Sequence, residues 1–535
     1  MKTLIKSLLI LTIVLSVLSL SGGTFLSAGN NIDLTLESSV DIAMSNSYRI
    51  QHLRLEIERT RFYLEARRAG LKSRVYMTLQ APELNSTSEF KWNSTLEKDE
   101  LVREDTRRWQ MDLSVRQPVM LFGIPTNGYL SLNNKVYQYR QKQNGSEDIN
   151  YYNRYFISFE QPLFQPNTLK NNTERAELDL QREELEYIDD LVRQIDRIAD
   201  DYYDLFELAY QSDIIARQIE NLKKVTNILK RADGDTAEPS IEAIQAQVEL
   251  ANVQEKLNGN QSDIRIESAR MIQRLRLDSK DSLMVQPEVT ISPINIDVDQ
   301  AVIYGFNLRP RMQLLAISRR RNELSLEDTK GHNSFRVNLN MTYGLEKQHE
   351  EYDQLLSNHD TSYSASVNAY IPIWDWGERK ANIEARKISL QQTDLSIEES
   401  RNEIKSEIIN AVANLEEYQK RAMSMKNNMD VALELSSLSL DLFEDNNISI
   451  QDILQIIKRQ EETETNFLEA YLGYRKSILR LLVNTHYDYE NDMSLLEQFR
   501  AQMLEDVTPE NNLAQNSETM NDSFGLKMPE IKSGM

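Results

Sequence analysis

Five histidines, at positions 52, 332, 349, 359 and 486, are the side chains of this 535-residue sequence best suited to metal or proton chemistry. No two of them stand at metal-ligand spacing. The chain has no cysteine, which excludes disulfides, thiolate nucleophiles and Cys-ligated metals. G-x-S-x-G, a phosphate-cradling glycine loop and a dinucleotide fingerprint are all absent. Carboxylates abound, with 83 Asp and Glu against 61 Lys and Arg, but on helices this charged a chance pair carries no catalytic meaning. The net charge of −22 leaves no basic patch to collect phosphates, so a nucleic-acid partner is not expected. We read a non-enzyme without a cofactor or metal, whose function lies in its shape.

The elements that set the shape begin with export. Lys2 and Lys6 precede an apolar run from Leu8 to Leu20, and the small residues of SLSGG and SAG follow. This is the pattern of a secretory signal peptide over residues 1–28, with cleavage expected between Gly23 and Gly29. No later segment reaches about 18 consecutive apolar residues, the span of a membrane helix.

The rest of the chain repeats itself. Placing Pro162 on Pro372 sets an offset of 210, and QPLFQPNTLKN then matches IPIWDWGERKA in its proline, aromatic and charged continuation. Leu180, Leu185, Ile198 and Leu205 fall on Leu390, Leu395, Ile408 and Leu415. The lead-in helices pair at a larger offset, 261, with Asn46 on Asn307 and Leu53 on Leu314. The first half thus carries about fifty extra residues before its Pro162 join. A repeat of this size implies two equivalent halves, 29–283 and 284–490, followed by a polar tail, 491–535, expected to be disordered.

Between Asn171 and Arg231 there is no proline or glycine, and Ile188, Val192, Ile195, Ala199, Tyr202 and Phe206 step by four and three. Leu191, Ile198 and Leu205 form a second row. In the second half Ile404, Ile408, Ala411, Leu415, Tyr418 and Ala422 repeat the step. This is a coiled-coil seam on helices of some sixty residues, roughly 90 Å long, which must run beside one another.

Strands precede each long helix. In FRVNLNMTYGL, Phe335, Val337, Leu339, Met341, Tyr343 and Leu345 alternate with residues that are polar or glycine. Tyr363, Ala365, Val367, Ala369 and Ile371 then alternate with Ser362, Ser364, Ser366 and Asn368. Such runs match the roughly 9–11 residues of a membrane-spanning strand, although a half-buried soluble sheet shows the same period. Aromatic residues gather at the strand ends: Tyr151, Tyr152, Tyr155 and Phe164 in one half, Tyr370, Trp374 and Trp376 in the other. The joins themselves are Pro162 with Phe164, and Pro372 with Trp374, Trp376 and Gly377. KQHEEYDQLLSNHDTS reads as an external loop, and WQMDLSVRQPVMLFG with GYLSLNNKVYQY reads as an additional first-half hairpin.

Two copies of strand–proline–aromatic–long helix in an exported chain resemble the TolC-like outer-membrane efflux protein family. The resemblance covers about residues 32 to 488 and rests on IPIWDWGERKANIEARK, QPLFQPNTLKN, NLRPRMQ and LFEDNNISIQDILQIIKRQ. VRQPVMLFG looks like a branch with an enlarged first β-region. The resemblance implies an α+β membrane protein in the outer membrane: an obligate homotrimer with one shared β-barrel and a tunnel of antiparallel helical hairpins in the periplasm. It further implies a periplasmic adaptor and an inner-membrane transporter as partners. In such proteins acidic residues ring the periplasmic tip. The resemblance places Glu242 and Asp452 at that constriction, with Gln245 and Gln455 one helical turn on. Phe443 and Ile448 stand near the places where an Arg or Tyr latch would be expected. The bland reading of Glu242 and Asp452 is two helix-start carboxylates favoured by the helix dipole.

The expectation is a passive export duct. The alternative is a structural or adhesive coiled-coil envelope protein without transport, against which the paired strand-to-helix joins argue. A periplasmic adaptor would show one helical hairpin between β-rich flanks, where this sequence shows two hairpins.

Overall fold

The computed structural model describes residues 31–495 apart from 94, 96, 144–145 and 234–239. The expected signal peptide and nearly all of the expected tail lie outside the described residues.

The order of elements is the same in both halves. Helices α1 (Leu36–Asn46) and α2 (Tyr48–Ala69) lead into the first strands, and α5 (Val298–Leu308) and α6 (Pro310–Gly331) into the second set. The lengths agree, 11 and 22 residues each time, and the starts lie 262 apart, one more than the sequence pairing. Ser47 divides the first pair, ending α1 and capping α2 through its side chain. In the second pair Pro310 takes the first helical position, where its missing N–H costs nothing. The long helices follow: α3 (Thr168–Asp233) turning into α4 (Ile241–Leu275), and α7 (Glu378–Glu444) turning into α8 (Ile450–Thr485). Thr168 and Glu378 start them 210 residues apart.

The four helices pack side by side in the order α4–α3–α8–α7. Helix α3 is internal to that layer, which is why both of its apolar rows are inward, with Ile188, Leu191, Ile198 and Ala199 buried. Helix α7 is at the edge. Its seam residues Ile404, Ile408, Ala411 and Leu415 are buried, while Leu395, Ile409 and Met423 remain exposed. A short parallel pair, β1 (Asn31–Asp33) with β6 (Ser282–Met284), and a two-residue hairpin of β9 (Tyr487–Asp488) with β10 (Met493–Ser494) lie beside the bundle.

The remaining strands make one antiparallel sheet in the order β2-β3-β4-β5-β7-β8: β2 (Arg74–Asn93), β3 (Lys98–Leu121), β4 (Ile124–Gln143), β5 (Ser146–Leu163), β7 (Arg336–His349) and β8 (Asp360–Tyr370). The additional hairpin is β3–β4, turning at Phe122–Gly123, and it is hydrogen-bonded into the sheet on both sides. The halves meet where β5 pairs with β7, from Leu163↔Val337 to Tyr151↔His349.

Candidate functional site

The register turns the alternation of each strand into two continuous faces. Val75, Val115, Leu132, Ile157, Tyr343 and Tyr363 are successive partners across all six strands and form one apolar row. One residue along, Arg74, Arg116, Ser131, Ser158, Thr342 and Ser364 form the row of the opposite, polar face. Apolar rows recur from Leu163/Val337/Ala369 to Leu79/Met111/Val136, ten residues further along β5; β5 and β7 contribute the polar Asn153 and Lys347 to that last row. At about 3.3 Å per residue and a tilt near 40° this band is ~25 Å tall. Among the described residues nothing covers its centre: Val75, Ile157 and Tyr343 are exposed.

Aromatic side chains edge the band at both ends. At one end Trp109 and Tyr151 project from the apolar face, and Tyr352 packs edge-on against Tyr151 at 5.7 Å. Tyr352 opens a 3-10 turn, Tyr352–Leu356, so the hydrophilic connection between β7 and β8 has a folded segment with Leu355 buried. At the other end stand Phe122, Phe164, Trp374 and Trp376. Two aromatics grouped with these in the sequence face the other way. Tyr152 donates to Glu346 at 2.7 Å and Tyr370 to Asn333 at 2.6 Å, and both belong to the polar face.

The joins differ from the sequence reading in detail. Strand β8 ends at Tyr370, before Pro372 rather than at it, and β5 runs through Pro162 to Leu163. In the second join Trp376 (φ 55°) and Gly377 (φ 85°) both take the left-handed region, which a bulky side chain adopts only at a sharp turn. Asp375 caps the new helix: its carboxylate accepts from Gly377 N at 3.0 Å and Arg379 N at 3.2 Å. Trp374 and Trp376 meet edge-on at 5.5 Å and are largely exposed. The first join has no glycine, and Phe164 itself takes the left-handed conformation (φ 61°). Asn167 Oδ1 accepts from Lys170 N, and Asn127, from the start of β4, accepts from Leu169 N, both at 3.0 Å. The added hairpin is thereby tied to the start of α3, a link that no local pattern could announce.

At the far end of the helices, Ser240 caps α4 and Ser449 caps α8. Glu242 and Asp452 are exposed, each next to a buried residue, Ala243 and Ile453. Gln245 and Gln455 are exposed one turn on. Asp452 is also half of a capping box. The Ser449 hydroxyl donates to its carboxylate at 2.7 Å, the Ser449 N–H at 3.2 Å, and these bonds hold the carboxyl below its usual value. Phe443 is buried and Ile448 half-buried in an apolar cluster that joins both hairpins, with Leu222, Val225, Ile450, Ile453 and Ile457.

Sequence reasoning missed the ionic ties between the hairpins, because their partners lie more than two hundred residues apart; Lys256 with Glu461 and Lys476 with Asp204 are among them, and two more lie toward the tip. Arg231 meets Glu444 at 3.2 Å where α3 and α7 end. Deeper in, Arg217 Nε donates to Glu464 at 2.9 Å, and Gln460 donates to the same carboxylate at 2.7 Å. Glu464 is only 1% exposed. The histidines are dispersed: His349 accepts from Glu351 N, His359 packs on Tyr155, and His486 is buried 3.9 Å from Asp189. Among the described residues no three His, Asp or Glu side chains gather as metal ligands, and no helix is long and apolar enough to cross a membrane.

A sheet of this kind, continued by two long helical hairpins, is the fold of the TolC-like outer-membrane channels. The resemblance read in the sequence holds at the level of the fold, at identities of 12–13%. The outer membrane protein VceC from Vibrio cholerae matches with a TM-score of 0.59 and 13% identity, over 84% of this chain and 95% of that one. The Campylobacter jejuni outer membrane channel CmeC matches with a TM-score of 0.56 and 13% identity, over 90% and 94%. The Neisseria gonorrhoeae outer membrane channel MtrE, in its open state, matches with a TM-score of 0.54 and 13% identity, over 84% and 88%. No protein-family profile and no curated protein sequence matches the chain.

Proposed function

We propose that the chain is a passive export duct of the outer membrane, assembled as a homotrimer from two repeats per chain. The observation that carries this reading is the uncovered apolar row from Val75 to Tyr363 with a polar row behind it. A sheet with one apolar, solvent-uncovered face of membrane height and one polar face is what a barrel wall requires, with lipid outside and water within. Trp374, Trp376 and Phe164 then stand at headgroup level on the periplasmic side, and Gly377 lets the wall turn into the tunnel helix. The helices α3, α4, α7 and α8 extend the conduit into the periplasm, where an adaptor and an inner-membrane pump deliver the cargo. Glu242 and Asp452, with Gln245 and Gln455, line the constriction at the tip and favour cations there. The energy comes from the pump, and no covalent step takes place in the duct.

The test is fractionation of the full-length protein. The duct reading expects a heat-modifiable trimer in outer-membrane fractions. A soluble periplasmic monomer would return the chain to the alternative of a structural envelope rod.

A further inference from the structure

We infer that the cleft where the end of α2 meets the polar face of the sheet binds a small polyanion, a solute carrying several phosphate or carboxylate charges, on Arg67, Lys72, Arg74 and Arg116. The chemistry stands on the cleft itself; only its place on a solute's path rests on the duct reading.

The cleft has a volume of about 260 Å³ and lies between the last turn of α2, the first residues of β2, strands β3 and β4, and the start of α3. Four cationic side chains line it and no acidic one does. That is the reverse of the chain as a whole, whose net charge is −22. The register enforces the crowding. Arg74 and Arg116 are direct cross-strand partners, a like-charge placement that disfavours the pairing of β2 with β3. Charge from the surroundings does not cancel it. Glu160, which is not part of the lining, reaches Arg116 at 3.7 Å. Arg67, Lys72 and Arg74 make no ion pair among the described residues, although Arg68 beside them pairs with Glu177. The carbonyl end of α2 supplies only about half a negative charge. The excess of roughly two positive charges or more calls for a ligand that is at least a dianion.

The cations are also held in place. Gly70 has an ordinary helical φ of −61°, so the backbone does not require glycine there. What the glycine supplies is room: a Cβ would stand 2.8 Å from Arg74 Nη2 and 3.0 Å from the Arg67 carbonyl oxygen. The Arg116 guanidinium lies over the Tyr129 ring at 3.7 Å, which fixes its plane. Gln117 donates to the Leu71 carbonyl at 3.4 Å and ties the link between α2 and β2 to β3. Guanidinium and ammonium donors converging on one cleft suit phosphate and carboxylate oxygens. The volume falls short of the roughly 300 Å³ at which sites for drug-sized ligands begin, so a small anion or one anionic group enters, not a bulky molecule. Arg116 and Tyr129 belong to the β3–β4 hairpin, so the added hairpin is what completes the site. The polar face is the water side of the duct, and the ligand arrives from solution.

The test is calorimetric titration of the full-length protein in detergent with pyrophosphate at low ionic strength. Saturable binding is expected, with the monoanion acetate binding about tenfold or more weakly. Lys72→Gln together with Arg74→Gln should weaken pyrophosphate binding by about tenfold or more, because charge-assisted hydrogen bonds are lost. Gly70→Ala keeps every charge, displaces the Arg74 head and should weaken binding several-fold. No saturable binding, or binding unchanged in the double variant, would overturn the site. Protection against heat by phosphatidylglycerol vesicles and not by pyrophosphate would assign the cations to lipid headgroups and overturn the solute as ligand. Pyrophosphate binding by protein that passes no current in planar bilayers would remove the duct and keep the site. Conductance without pyrophosphate binding would remove the site and keep the duct.

Discussion

Ile157 of β5 lies directly opposite Tyr343 of β7, and through this pair the strands of the two halves become a single sheet. Both side chains belong to the apolar face, and both are exposed. Adjacent positions should therefore differ sharply. Ile157→Lys places a charge near the centre of the apolar band and should cost about 2–4 kcal/mol, read as loss of heat-modifiable trimer from the outer membrane. Ser158→Lys, one residue on and facing the polar side, should assemble normally.

The tip carboxylates should set ion preference. Glu242→Ala together with Asp452→Ala is expected to lower cation over anion selectivity of single channels in planar bilayers. Because Asp452 also caps α8, Ser449→Ala is the control: it removes the cap, at a cost of roughly 1 kcal/mol, and keeps the charge. Selectivity unchanged in the double variant, or lost equally in Ser449→Ala, would reduce Asp452 to a helix cap.

The Arg217–Glu464 tie should be structural. Arg217→Ala strands a buried carboxylate and should lower stability by about 3 kcal/mol or more. Adding Glu464→Gln removes the unpaired charge, so the double variant should recover part of the loss in thermal denaturation. Equal losses in the single and double variants would show that the charge is not the cause.

His486 should make the fold acid-sensitive. Burial, with Arg309 and Arg193 nearby, pushes its pKa down to about 3, and Asp189 at 3.9 Å does not offset this because it already pairs with Arg193. The folded chain holds the imidazole neutral while the unfolded chain protonates it below about 6.5. Stability is thus full above pH 6.5 and falls toward the folded pKa as pH drops, by up to about 1.4 kcal/mol per unit. His486→Asn tolerates the left-handed backbone there (φ 53°) and should flatten the melting temperature between pH 6.5 and 4. A pH profile identical to that of the unchanged protein would exclude this histidine as its source.

Much of this architecture was legible because it is periodic. The four-three steps through Ile188 and Ile404 are buried seams, and the alternation through Tyr343 and Tyr363 is one face of a sheet. Period alone could not place the β3–β4 hairpin, because alternation describes a strand and says nothing of its neighbours; the pairing of Val115 with Val75 and Leu132 does. The ends of elements shifted for local reasons: β8 stops at Tyr370, and Asp375, not Pro372, organises the turn. Ties across the chain, such as Asn127 to Leu169 and Arg217 to Glu464, were invisible because sequence spacing carries no sign of them.

Conductance of the purified full-length protein in a planar lipid bilayer decides directly whether the chain is a duct. A duct gives discrete single-channel steps of uniform size from trimeric material, and none from Ile157→Lys protein added at the same concentration. Trimeric protein that inserts into the bilayer and passes no current would contradict it.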